Sequence, residues 1–278
     1  YDDLNNLRFV IPPKAVAAMN TANNWTLSQT AIDELCFRYE YDQRNRMIAK
    51  KVPGAGWVYM VYDVRDRLVF TQDANMRQKS PAHWMYILYD ELNRPAQSGI
   101  MQYNGTREAL QTHVSGIQSG TTTINNTGNN TVSVQQELTV TQRVAGQTLY
   151  EAVNTIYLDP EFESETTAEF ETQYTTGTGS SFNNQQTVSL YPVPAGGTLI
   201  PLSISYYDDY TWTNKTFNTA NNNKLDQGNN TYAEVLPAQN SAAVKGMPTG
   251  SRVRVLEDVN NLTAGNWMET VSFYDEKG

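Results

Sequence analysis

Apolar and polar residues alternate with a period of two through much of the first hundred positions. In Phe37-Arg38-Tyr39-Glu40-Tyr41 the three aromatics fall on one face of an extended strand, and Trp57-Val58-Tyr59-Met60-Val61-Tyr62 alternates in the same way. Arg67-Leu68-Val69-Phe70-Thr71 is the matching outgoing strand. The incoming strands end on a Tyr-Asp pair that opens a repeated heptad. Tyr41-Asp42-Gln43-Arg44-Asn45-Arg46-Met47 recurs as Tyr62-Asp63-Val64-Arg65-Asp66-Arg67-Leu68 and as Tyr89-Asp90-Glu91-Leu92-Asn93-Arg94-Pro95. Weaker copies open the chain, Tyr1-Asp2-Asp3-Leu4-Asn5-Asn6-Leu7, and close it, Tyr274-Asp275-Glu276-Lys277-Gly278.

The repeated heptad has the chemistry of a tight turn. An Asp at the first position of a type I turn accepts the backbone N–H two residues on. Three residues after it stands Asn5, Asn45, Asp66, Asn93 or Gly278, the residue types that best tolerate the left-handed conformation by which a type I turn rejoins a strand. Each unit therefore reads as strand, turn and strand. A lone hairpin is marginal in water, so consecutive units must pair edge to edge into a growing, curved sheet. The turn motif is carried by Tyr41, Asp42, Asn45 and Arg46, by Tyr62, Asp63, Asp66 and Arg67, and by Tyr89, Asp90, Asn93 and Arg94.

These residues resemble the YD or Rhs repeats of bacterial surface and secreted proteins, with relatives in insecticidal toxin complexes and animal teneurins. The shared pattern is Tyr-Asp-x-x-Gly/Asn-Arg-Leu, and the resemblance covers residues 1 to 105 and 248 to 278. It implies a spiralling β-sheet that wraps into a hollow shell around a toxic or variable C-terminal domain. The chain departs from the family picture in having few repeats and no recognisable toxin or self-cleaving core motif.

Elsewhere the pattern changes. Pro13 to Met19 and Ser28 to Leu35 carry helix formers, with Ser28 placed as an N-cap, and predict short helices near 14–35. From 106 to 197 the composition shifts to Thr, Asn, Gly and Ser, with alternation in 131–134, 137–144, 154–158 and 168–174. That spacing predicts an inserted β domain of sandwich or solenoid type. Residues 198–278 return to strands: Leu199 to Tyr210 holds a Tyr-Asp with no Asn-Arg after it, 214–245 reads as a long loop, and 252–256 and 267–274 are strands. The expected fold is mainly β. Stacked hairpins form a curved antiparallel sheet over 1–105 and 198–278, joined by a sandwich-like insert over 106–197 and one or two short helices. A chain that begins and ends inside a repeat is expected to be an excerpt of a longer one.

Composition narrows the function. Net charge is −9, which repels the phosphates of a nucleic acid. No run of about 18 apolar residues predicts a membrane span. Charged residues make up 18% of the chain, and polarity comes instead from Asn, Thr, Gln and Ser, a balance that reads as extracellular; the resemblance to YD repeats implies a secreted protein or one on the outer surface of a bacterium. The single cysteine, Cys36, allows no internal disulfide. His83 and His113 stand in no catalytic motif, and no cofactor is expected. Asp159, Glu161, Glu163 and Glu165, and the pair Asp208 and Asp209, are the carboxylates to weigh for glycosidase chemistry; the first group also offers a calcium-binding edge, for which a solvated face is the plainer reading. Tyr206, Tyr207, Tyr210 and Trp212 sit among Asn and Thr and form a candidate ligand surface of the sugar-stacking kind.

The leading reading is a non-enzymatic scaffold or shell segment whose partners are further repeats or a C-terminal effector domain of the same longer chain. A carbohydrate-binding module that contacts cell-surface glycans is the alternative, and a glycoside hydrolase is a third.

Overall fold

A computed structural model gives the fold, and it describes residues 1–22, 25–125, 137–142, 149–152, 155–160, 162–163, 170–174, 185–222, 237–258 and 260–276. The chain divides into two compact units, the first made of Tyr1–Asn125, Gln185–Asp209 and Phe217–Gly278, the second of Asn126–Asn184 and Tyr210–Thr216.

The first unit is one antiparallel sheet laid down almost in chain order. A short strand β1 (Phe9–Val10) is followed by helices α1 (Pro13–Ala22) and α2 (Gln29–Leu35), then by β2 (Phe37–Tyr41), β3 (Met47–Lys51), β4 (Val58–Tyr62) and β5 (Leu68–Gln72). Helix α3 (Ala74–Arg77) leads to β6 (His83–Tyr89) and β7 (Pro95–Gln102), and α4 (Arg107–Ser115) to β8 (Thr121–Asn125). The second unit holds β9 (Glu137–Val140), β10 (Leu149–Ala152), β11 (Thr155–Leu158) and β12 (Glu171–Tyr174), after which β13 (Gln185–Ser189), β14 (Thr198–Tyr207), β15 (Pro248–Arg254) and β16 (Trp267–Val271) rejoin the first. The sheet order is β1-β2-β3-β4-β5-β6-β7-β14-β15-β16, and β13 pairs with both β6 and β8.

The hairpins β2–β3, β4–β5 and β6–β7 close at the predicted heptads. Asn5, Asn45, Asp66 and Asn93 have φ between 59° and 63°, the left-handed conformation their residue types tolerate. In each hairpin the pairing register breaks just before the tyrosine, between Glu40 and Tyr41, Val61 and Tyr62, and Leu88 and Tyr89, as expected when a type I turn is rejoined through a bulge. The left-handed place expected of Gly278 lies outside the described residues.

Alternation then decides the core. Val61, Phe70, Trp84, Tyr86, Leu88 and Met101 turn inward and are buried, and α4 lays Leu110 and Val114 against them. Helix α4 is anchored as well as packed, because the Gln111 side chain accepts from the Tyr62 N–H at 3.1 Å and donates to the Tyr62 carbonyl at 2.7 Å. Gly99 of β7 stands opposite Pro201 of β14, and a Cβ there would run into the Ile200 carbonyl. Pro201, which cannot donate to a ladder, stands at the register shift of β14.

The predicted helices near 14–35 are α1 and α2, and Ser28 caps α2 by accepting the Ala31 N–H at 3.1 Å. Among the described residues two further α-helices are present. Asp73 caps α3 and Thr106 caps α4, each accepting the N–H three residues on. The insert is also narrower than 106–197: α4, β8 and β13 belong to the main sheet unit. Within the second unit the strands do not pair antiparallel as a sandwich would. β9 lies parallel to β11, and β10 parallel to β12. Successive segments thus stack in parallel, as the coils of a solenoid do, with Tyr150 and Phe162 each 4.9 Å from the Phe170 ring. The predicted strand at 131–134 lies outside the described residues.

Trp84 is fully buried at the centre of the core. Trp84→Ala should therefore cost about 3 to 5 kcal/mol, read as a drop in denaturant midpoint with little change in slope.

Candidate functional site

The residues singled out from the sequence meet along the turn edge of the sheet, where each turn is tied first to itself and then to the next. Within a turn the Asp does both jobs. Asp42 Oδ1 accepts the N–H groups of Arg44 and Arg46 at 2.9 and 3.0 Å, and its Oδ2 accepts from Arg46 Nε at 2.8 Å. Asp63 does the same for Arg65 and Arg67, and Asp90 for Leu92 and Arg94. The first copy keeps the design with an Asn in place of the arginine, since Asn6 donates to Asp2 and then reaches across to Asn45 Oδ1 at 3.2 Å.

Between turns the link is the arginine. Arg46 Nη1 donates to the Asp63 carbonyl at 3.1 Å and to Asp66 Oδ1 at 2.9 Å. Arg67 Nη1 donates to Asn93 Oδ1 at 3.0 Å and reaches the Asp90 carbonyl at 3.5 Å. Each guanidinium also lies over the tyrosine ring of the next turn, Arg46 over Tyr62 at 5.0 Å and Arg67 over Tyr89 at 4.7 Å. That tyrosine returns the contact. Tyr62 Oη donates to the Met47 carbonyl at 2.8 Å and Tyr89 Oη to the Leu68 carbonyl at 3.0 Å, both carbonyls being one residue past the arginine beneath.

The ladder is most buried at its middle. Asp63 and Arg67 form an ion pair at 2.7 Å with side chains only 1% and 9% exposed. Ser189 of β13 covers it, accepting from Arg67 Nη1 at 3.0 Å and donating to the Asp90 carbonyl at 2.8 Å. Charges shape the outer rungs. Burial raises the pKa of Asp42, but hydrogen bonds from the Arg46 side chain and from the Arg46 and Arg44 N–H groups outweigh it and leave the carboxyl below its ordinary value. Arg94 holds Asp208 low through its hydrogen bond, against burial and with help from the Gly246 N–H.

The candidate ligand surface does not form as expected. Tyr206 and Trp212 are buried, 4% and 2% exposed. Tyr207 is half-buried under Arg94, its hydroxyl donating to the Pro95 carbonyl at 3.2 Å. Tyr206 and Tyr207 belong to the first unit and Tyr210 and Trp212 to the second. The alternation of β14 explains the first result, since it turns Ile204 and Tyr206 inward together.

Asp159 and Glu163 are among the described residues, whereas Glu161 and Glu165 lie outside them; among the described residues no three His, Cys, Asp or Glu side chains come together where a metal could bind. Asp208 is held by Arg94 and Gly246. Cys36 is fully buried, and burial raises its thiol pKa, the opposite of an activated nucleophile. His83 lies on β6 with its Nε2 3.4 Å from Gln102 Nε2, and His113 is exposed on α4. The sequence matches no protein-family model and no curated protein.

Removing one partner of a buried pair strands the other charge. Arg67→Ala should cost about 3 to 5 kcal/mol, and Arg46→Ala, at a more exposed rung, about 1.5 to 3 kcal/mol; equal losses in urea unfolding would contradict the burial gradient. Acid should act through the depressed carboxyls. Unfolded Asp takes up its proton near pH 4, before Asp42 and Asp208 do in the folded chain, so their contribution is whole above that pH and fades as pH falls through their lower folded values. Urea midpoints measured from pH 7 down to pH 2.5 should fall below about pH 4, and less steeply in an Asp42→Asn, Asp208→Asn double variant.

Proposed function

We propose that this chain is a structural scaffold of the YD-repeat kind, a segment of a secreted or cell-surface bacterial protein whose sheet carries or encloses an effector domain. The observation that carries the reading is the ladder itself. The turns at Asp42 and Asp63 each present an arginine to the next and receive a tyrosine hydroxyl in return, so one hairpin is a template for its successor and the sheet extends by repetition. That is an architecture for covering area. The sequence pattern Tyr-Asp-x-x-Asn/Asp-Arg supports the same family, as does a surface whose polarity rests on Asn, Thr, Gln and Ser.

Among the described residues no helix is long and apolar enough to cross a membrane. The burial of Tyr206 and Trp212 takes support away from the carbohydrate-binding alternative, because a stacking platform needs exposed ring faces.

The reading is tested by locating the protein in the organism that encodes it. Antibody raised against the purified chain should label intact, unpermeabilised cells or detect the protein in the culture medium. Signal confined to the cytosolic fraction, with none outside, overturns the proposal.

A further inference from the structure

Between Tyr207 and Pro248 the main sheet makes a hairpin that the sequence hides, since the residues after Asp208 bear no likeness to the repeat. Its geometry is nevertheless that of a ladder turn. Tyr207 stands opposite Pro248 across a register break, as Tyr41 stands opposite Met47, Tyr62 opposite Leu68 and Tyr89 opposite Pro95. The Asp208 N–H donates to the Met247 carbonyl at 3.1 Å; Asp42, Asp63 and Asp90 donate to the carbonyls of Arg46, Arg67 and Arg94 at 3.0 Å. Gly246 has φ 91° and so fills the left-handed place of Asn45, Asp66 and Asn93.

The rung is connected on both sides. Below it, Arg94 lies 4.2 Å from the Tyr207 ring centre, and the Tyr207 hydroxyl donates to the Pro95 carbonyl. Above it, the Tyr274 hydroxyl donates to the Pro248 carbonyl at 2.7 Å, which is the same step one turn further on. Two things differ. Met247 occupies the place of the arginine, and the left-handed glycine offers no side chain for the arginine below to hold. Arg94 turns instead to the Asp208 carboxylate, Nη1 to Oδ1 at 3.1 Å and Nη2 to Oδ2 at 2.5 Å, while Oδ1 also accepts the Gly246 N–H at 2.6 Å.

We propose that Asp208 and Gly246-Met247 are the two ends of a fifth ladder turn, opened to let the chain leave after Asp208 and return at Gly246, and that Arg94 with Asp208 is the clasp that holds those ends together. Asp208 touches both the departing strand, of which it is part, and the returning one through Gly246. Its φ of 74°, left-handed for a non-glycine residue, marks where the path swings out of the ordinary turn. The opened rung is thus an insertion point: the ladder keeps its register although 37 residues, 209–245, separate its two ends in the sequence. Releasing the clasp frees the base of the excursion without melting the sheet.

Two substitutions test this. Asp208→Asn keeps the shape of the side chain and removes the charge that gathers Arg94 and Gly246. Native-state proteolysis reports the population of locally opened chain, and cleavage within 209–245 should accelerate roughly tenfold, the loss of a hydrogen-bonded charge contact, while the amides of β14 and β15 keep their hydrogen-exchange protection. Unchanged cleavage, or an equal loss of protection throughout the sheet, overturns the clasp. Met247→Arg tests the register: an arginine restored at that place should reach the Tyr274 rung and raise the unfolding midpoint, and the gain should vanish when combined with Tyr274→Leu. No gain, or a gain that survives Tyr274→Leu, overturns the assignment of the rung.

Discussion

The guanidinium that leaves one turn and settles on the next is the contact on which the sheet depends. It has three faces in use at once: an edge toward its own aspartate, another toward the carbonyl and side-chain oxygen of the following turn, and a flat surface over a tyrosine ring. A lysine could supply the charge but neither the fork nor the plane. Because the tyrosine's hydroxyl is spent on a carbonyl one residue past the arginine, the two turns are locked in both directions. A slip of one residue would send ring and guanidinium to opposite faces of the sheet. The turns set register within each hairpin, and this exchange ties each hairpin to its neighbour.

Such a contact is not where the net stability comes from. A buried ion pair loses hydration that its mutual attraction only partly restores, and an apolar pair of equal volume is often as stable or more so. The apolar centre of the main sheet unit, Phe70, Trp84, Tyr86, Leu88 and Met101 with Leu110 and Val114 from α4, supplies the driving force. The division is economical in chemistry: oily side chains decide that the sheet collapses, and charged side chains decide which strand lies against which. Ser189 shows how the two meet, since β13 brings an apolar Val188 to the core and a hydroxyl to the Asp63–Arg67 pair in consecutive residues.

Much of this was legible in the sequence and some was not, for reasons that lie in particular residues. The turn aspartates and the left-handed Asn45, Asp66 and Asn93 act locally, within four residues, so the heptad declares them. The arginine acts on a partner a whole hairpin away, and the heptad marks its presence without its target. Helix α4 was hidden by composition: a stretch judged by its Thr, Asn and Ser content contains Leu110 and Val114 at helical spacing behind a Thr106 cap. The aromatic group at Tyr206, Tyr207, Tyr210 and Trp212 looked like a surface because its neighbours in sequence are polar, yet alternation along β14 turns Tyr206 inward. Parallel pairing of β9 with β11 and of β10 with β12 could not be read from strand spacing, which is the same for either direction.

A ladder built from contacts rather than from spacing has a consequence for how the chain can grow. What a turn requires of its successor is a tyrosine ring, a carbonyl and an oxygen for the arginine, delivered at the right edge; nothing requires that they come from the next residues in the chain. The main sheet satisfies this twice by different routes. Between β7 and β14 the chain passes through α4, β8, the second unit and β13 before Tyr207 arrives over Arg94. Between β14 and β15 the turn itself is open, and the ends still meet through the backbone N–H and the carboxylate of Asp208. Long surface insertions cost little closure entropy, because that cost grows only with the logarithm of loop length, whereas a lost rung would cost the register of every strand beyond it. Sequence can therefore be added wherever the rung's few contacts survive, and the repeat fades from view in the sequence while its geometry persists.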